Sequence, residues 1–250
     1  MTMTLTTADF PAPPPHITAR VPRRIGFWLG LGWTGLAVLA FFAIPLTGGL
    51  AVALWNHLRP ARQIALQQDL YALVFLAALA AFFAVIVLAC RCSGWRAVDY
   101  LALNRPCGRF VLFGALAFVV PLAVSLTAAV YGGPGSATTP STTPDLILLV
   151  LGVTVLAPIC EELVFRGFVY RVLADSRIGV VGAIVLTSLV WASLHTDKTW
   201  WGMAATFFTG LVWGWLRWRT QSTLATITVH TLNNLVAAAG ITAAALGAGS

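Results

Sequence analysis

Charge is what this 250-residue sequence has least of: 9% of its positions are Asp, Glu, Lys or Arg, 59% are hydrophobic, and the mean hydropathy is +0.87. A soluble domain carries about 25% charged residues to keep its surface in water, so a water-soluble enzyme is excluded. Cysteine is scarce too. The four present, Cys90, Cys92, Cys107 and Cys160, form no C-x-x-C pair. Three lie near an expected cytoplasmic face, where thiols stay reduced, and Cys160 lies within an apolar run, so neither a disulfide nor a structural zinc site is expected. Internal repeats and appended soluble domains are also lacking. The net charge of +7, from 15 basic and 8 acidic residues, would point to nucleic acid in a soluble chain. Here most arginines sit at the ends of apolar runs, which marks membrane orientation and leaves no nucleic-acid partner expected.

Long apolar runs are what the sequence has instead. Residues 1–24, rich in Thr and Pro and carrying Arg20, Arg23 and Arg24, read as a flexible cytoplasmic tail. The run from Ile25 to Trp55 exceeds the roughly 7 to 15 residues of a signal-peptide core and reads as a retained helix, with a break expected near Pro45 and Gly48-Gly49. Further runs occupy Leu70–Cys90, Phe110–Tyr131, Asp145–Ala174, Ile178–His195, Trp200–Leu216 and Thr223–Leu246. At about 20 apolar residues per crossing, these predict an all-α, polytopic transmembrane bundle of about seven spans, between six and eight. Residues 25–131 would form an N-terminal set of helices and 145–246 a second set with a four-helix core. With the tail inside, the arginines at 91, 96, 105 and 109, at 171 and 177, and at 217 and 219 all fall on the cytoplasmic side. Arg59 and Arg62 do not fit that alternation. Either their segment lies on the membrane surface or the first span is placed wrongly.

Ionisable residues inside such runs cost at least about 2.5 to 3.5 kcal/mol at the bilayer centre and usually serve a site. Three groups stand out. In Ala157-Pro158-Ile159-Cys160-Glu161-Glu162-Leu163-Val164-Phe165-Arg166-Gly167, Glu162 and Arg166 are four apart with the acid first, the favourable order for a helical ion pair. Glu161, offset by about 100° around the helix, is the less neutralised carboxylate and the candidate general base. A buried Glu162–Arg166 clamp joining helices is the structural alternative. Trp191 and His195 share a second helix face, where a lone histidine near a helix end is more often interfacial. His230 and Asn234 share a third, where interhelical hydrogen bonding is the simpler account.

Taken together, the three groups suit amide hydrolysis, which needs a base for water, a group to hold that water and donors for the oxyanion. Glu161 with His195 could supply the first two, and His230 with Asn234 the third. The competing assignment is a zinc site made of Glu161, His195 and His230 with one open position, although the H-E-x-x-H signature is absent. Counting about 1.5 Å per residue from the cytoplasmic helix ends puts Glu161 roughly 15 to 20 Å deep and His230 about 12 Å deep. His195 comes out about 25 Å deep, a mismatch that a later helix start or a strong tilt would repair.

These residues resemble the CPBP family, the CAAX-protease and bacteriocin-processing (Abi) intramembrane proteases. The family pattern E-E-x-x-x-R, F-x-x-x-H and H-x-x-x-N on successive helices becomes Glu161-Glu162-x-x-x-Arg166, Trp191-x-x-x-His195 and His230-x-x-x-Asn234, over about residues 145–240. The resemblance implies a catalytic set of Glu161, Glu162, His195, His230 and Asn234. Within it Glu161 would activate water, His195 would be its partner, and His230 with Asn234 would stabilise the oxyanion. Trp191 stands where Phe is usual and is expected to keep an aromatic wall in the substrate pocket. Both a zinc-dependent and a metal-free glutamate mechanism fit the family. The implied partners are membrane lipids and a peptide or protein substrate, with prenylated C-terminal substrates among the candidates. Separately, the Ala/Arg-biased composition and lack of a eukaryotic retention signal point to a bacterial plasma membrane. The alternative from another class is a non-catalytic membrane protein, whether a bacteriocin-immunity or regulatory scaffold or a proton-coupled transporter, using the same buried polar residues.

Overall fold

The computed structural model describes residues 22–59, 68–106, 110–132, 147, 150–196 and 198–247, and among them it is all helical, with no strand. The long helices are α1 (Phe27–Leu58), α2 (Gln68–Cys92) and α4 (Phe110–Gly132), then α5 (150–174), α6 (Gly179–Ser193), α7 (Trp200–Thr220) and α8 (Thr223–Gly247). A single turn, α3 (Ala97–Tyr100), lies between α2 and α4. The seven apolar runs thus correspond to seven long helices, because an apolar run without water must close its own backbone hydrogen bonds. Two of these, α1 and Leu73–Cys92 within α2, are long and apolar enough to cross a membrane by length and composition. Most of the tail, the loop 133–146, the expected start at Asp145, and Arg62, Cys107 and Arg109 lie outside the described residues.

The first helix corrects one expectation: it runs unbroken through Pro45. Pro45 has no backbone N–H to give to the Phe41 carbonyl, and in the next turn Thr47 Oγ1 donates to the carbonyls of Ala43 and Ile44 at 2.7 and 3.1 Å. Hydroxyls and neighbouring helices commonly keep such helices intact in apolar surroundings.

Two packed groups of helices result. In the first, α1 lies against α2, and Gly30 of α1 admits Val172 of α5, leaving no room for a Cβ. Tyr100, Phe168 and Val172 share that core. Arg171 fastens α3 to α5: its Nη1 donates to the carbonyls of Asp99 and Tyr100, both at 3.1 Å, and its guanidinium lies 4.3 Å from the Trp95 ring centroid. In the second group, α7 packs between α4 and α6. Gly210 and Gly214, one turn apart on α7, meet Ser188 and Ile184 of α6 so closely that a Cβ would lie 2.7 and 2.8 Å from them. Small residues at this spacing let helix backbones approach. Arg217, read above as a topology marker, is instead buried, donating from Nε to the Arg166 carbonyl at 3.0 Å and to Thr223 Oγ1 at 3.1 Å.

Candidate functional site

The two glutamates lie on an irregular helix. In α5, the stretches Gly152–Leu156 and Leu163–Val169 widen into π-helical turns, leaving Ala157–Glu162 as a short α-helical piece between them. Pro158, which has no N–H, is the second residue of that piece, and the Ala157 N–H reaches back five residues to the Gly152 carbonyl. Such widened turns recur at functional sites because they re-aim neighbouring side chains. Nothing in the apolar pattern announces them; Pro158 is the one sequence signal.

From this piece the glutamates diverge. Glu162 points into the protein and is fully buried with Arg166, whose Nη1 donates to Glu162 Oε1 at 3.1 Å. The same oxygen meets His230 Nδ1 of α8 at 3.0 Å. Because a carboxylate oxygen only accepts, this contact puts the proton on Nδ1. Thr226, beside Glu162, gives its own proton to the Thr223 carbonyl, and Glu162 Oε2 is left without a donor. Arg166 also reaches the Gly210 carbonyl at 3.4 Å, and its guanidinium stands 4.8 Å from the Trp191 ring centroid and 5.9 Å from that of Trp213.

Glu161 is partly exposed and turns toward α6, where the Trp191 indole N–H donates to its Oε2 at 2.6 Å. Trp191 is buried, 4% exposed, at the centre of an aromatic cluster. It meets His195 edge to face at 5.0 Å, Trp213 at 5.4 Å and His230 at 5.7 Å, while Trp213 lies 4.2 Å from His230. Trp213, which the sequence reading did not single out, is tied to α4 by a 3.0 Å bond from its indole N–H to the Ala117 carbonyl.

Three expectations change at the site. His195 is not inside a helix: α6 ends at Ser193, and the His195 ring turns back so that Nδ1 donates to the Trp191 carbonyl at 2.8 Å. That fold-back brings His195 beside Trp191, whose carbonyl also accepts from the Leu194 N–H at 3.3 Å. Trp191 is more than an aromatic wall, since its N–H holds Glu161. His230 and Asn234 share a face of α8 but have different partners, for Asn234 Nδ2 donates to the Val153 carbonyl at 2.8 Å whereas His230 is held by Glu162. Glu161, His195 and His230 gather around one indole ring, yet among the described residues no three His, Cys, Asp or Glu side chains converge as a metal site. The Trp191 ring meets both histidines edge to face, and His230 Nδ1 is committed to Glu162. A histidine whose Nδ1 bonds a carboxylate can still ligate a metal through Nε2, so the His230–Glu162 bond leaves that ring usable as a ligand.

Fold and site together define an all-helical protein with two membrane-length helices and a half-buried carboxylate set among histidines. Residues 143–236 match the family model described as "Type II CAAX prenyl endopeptidase Rce1-like", a match that agrees with the motif resemblance to the CPBP family over the same stretch. This is a membrane-embedded, CAAX-type protease family. No curated protein and no solved structure matches the chain.

Proposed function

We propose that the protein is an intramembrane endopeptidase that hydrolyses a peptide bond in a membrane-associated peptide or protein, of CAAX or leader type. The observation that carries this reading is the gathering of Glu161, His195 and His230, from three separate segments, around Trp191. In the proposed reaction Glu161 takes a proton from water as the water oxygen adds to the substrate carbonyl carbon. That proton passes to the amide nitrogen as the C–N bond breaks. His195, whose Nδ1 donates to the Trp191 carbonyl, is the proposed partner of Glu161 in holding the water. His230, with Nδ1 on Glu162, has Nε2 left for the substrate oxyanion, and in its protonated form donates to it. Asn234 has a second amide N–H for the same purpose. Glu162 and Arg166 fix His230 and take no proton from water.

The seven long helices are proposed as seven crossings with the N-terminus in the cytoplasm. The 15-residue α6 reaches about 22 Å at 1.5 Å per residue, against a roughly 30 Å hydrocarbon core, so its crossing is completed by flanking residues or local bilayer thinning.

The deciding experiment uses the full chain in detergent with a quenched peptide or a prenylated peptide ending in a CAAX sequence. Glu161→Ala and Glu161→Gln are expected to lower kcat by at least about 100-fold, the scale of a lost general base. Hydrolysis by both variants at the wild-type rate would return the site to the non-catalytic reading, in which the buried Glu162–Arg166–His230 group acts as helix glue. The same assay with chelator and then with zinc checks the metal question. A rate abolished by chelator and restored by zinc would replace the metal-free scheme.

A further inference from the structure

We infer that Trp191 is a positioning residue that determines which oxygen of Glu161 faces water and places His195 on the same side. The inference rests on the protease reading above. A glutamate side chain has three rotatable torsions, and on a partly exposed helix face these would leave its two oxygens interchangeable. Here Oε2 is pinned by the Trp191 indole N–H at 2.6 Å, while among the described residues no hydrogen bond reaches Oε1. The donor cannot drift. The indole is enclosed by His195, Trp213 and His230 at centroid distances of 5.0, 5.4 and 5.7 Å, with the Arg166 guanidinium 4.8 Å from its ring centroid. The same residue holds His195 through its backbone, accepting from Nδ1 at 2.8 Å. One buried residue thus orients the carboxylate with its side chain and the imidazole with its carbonyl, and hydrogen bonds to a carboxylate are among the stronger ones in proteins. A site held by such a supporting residue loses rate when the support goes, even if every reacting group remains.

Trp191→Phe tests this, since it keeps a ring for Arg166 and the histidines and removes only the N–H and the extra ring. Kinetics of the full chain in detergent are expected to show kcat down roughly 10- to 100-fold, the scale of a hydrogen bond to a charged group, with KM and melting temperature close to wild type. A second readout does not depend on activity. With 15N-tryptophan labelling, the indole cross-peak absent from Trp191→Phe identifies Trp191, and that peak is expected to move in Glu161→Ala. The peak staying in place in Glu161→Ala, or wild-type kcat in Trp191→Phe while Glu161→Gln is inactive, overturns the inference. Wild-type hydrolysis by Glu161→Gln overturns instead the protease reading on which it rests.

Discussion

Glu161 and Glu162 are chemically identical neighbours, one peptide bond apart, yet they face opposite surroundings. Glu162 is fully buried against a cation and an imidazole, whereas Glu161 has one tryptophan donor and an open side. Removing the charge of Glu162 leaves Arg166 buried without its partner, and breaking a buried pair from one side typically costs about 3 to 5 kcal/mol. Glu162→Gln is therefore expected to lower the melting temperature by roughly 6 to 20 °C, at 2 to 4 °C per kcal/mol. Glu161→Gln should leave the melting temperature nearly unchanged. Thermal unfolding of the two variants side by side checks this, and equal melting temperatures would mean that the Glu162–Arg166 contact does not hold the fold. At this scale much of the site was legible: the four-residue spacing between Glu162 and Arg166 anticipated their contact. The partners of His230 and Glu161 were not legible, because they lie 68 and 30 residues away along the chain and no local periodicity connects them.

Among the helices, α7 has the most consequential position, since it lies against both α4 and α6 and carries Trp213 and the Gly210 carbonyl toward Arg166. Its closeness to α6 depends on having no side chain at Gly210, where a Cβ would lie 2.7 Å from Ser188 Cβ. Gly210→Ala is expected to cost about 1 to 3 kcal/mol of stability by overpacking and to reduce activity, because it pushes Trp191 and Arg166 apart from α7. Gly35→Ala, on α1 with nothing within 4 Å of the added Cβ, should be neutral or stabilising by up to about 1 kcal/mol. Unfolding and turnover measurements on both variants check the contrast; equal stability would mean the two helices can separate freely. Helix identity was readable from apolar runs, and eleven of the fourteen expected boundaries fell within about two residues of expectation, such as Phe110 and Thr223. The π-helical turns and the early end of α6 were not readable, because both depend on which backbone groups find partners in neighbouring segments.

For the whole molecule, the arginine distribution carries the orientation. Cys92, exposed at the end of α2 beside Arg91, belongs to the face proposed as cytoplasmic, while Cys90, two residues earlier, is buried in the core. In a chain whose other three cysteines are alanine, Cys92 is expected to react with an impermeant maleimide in inverted vesicles and to stay unlabelled in intact cells. Labelling from the outside of intact cells would reverse the proposed topology. Several arginines that read as orientation marks also have structural work, which shows how far the whole-chain reading reached. Arg171 is bound to α3 carbonyls and Arg217 is buried on the Arg166 carbonyl.

By itself the sequence determined that this protein is a set of apolar helices with a few misplaced polar residues, because a chain that leaves water must satisfy its backbone within each segment. It also determined which residues those are, since so few charges occur among so many apolar positions that each exception is visible. Tertiary structure alone decided their pairing. Glu162 rather than Asn234 became the partner of His230, and Trp191 rather than any charged group became the partner of Glu161. Hydrogen bonds between helices depend on crossing points, tilts and helix ends set by side-chain packing, and in an apolar medium each buried donor takes whatever acceptor that packing brings within 3 Å.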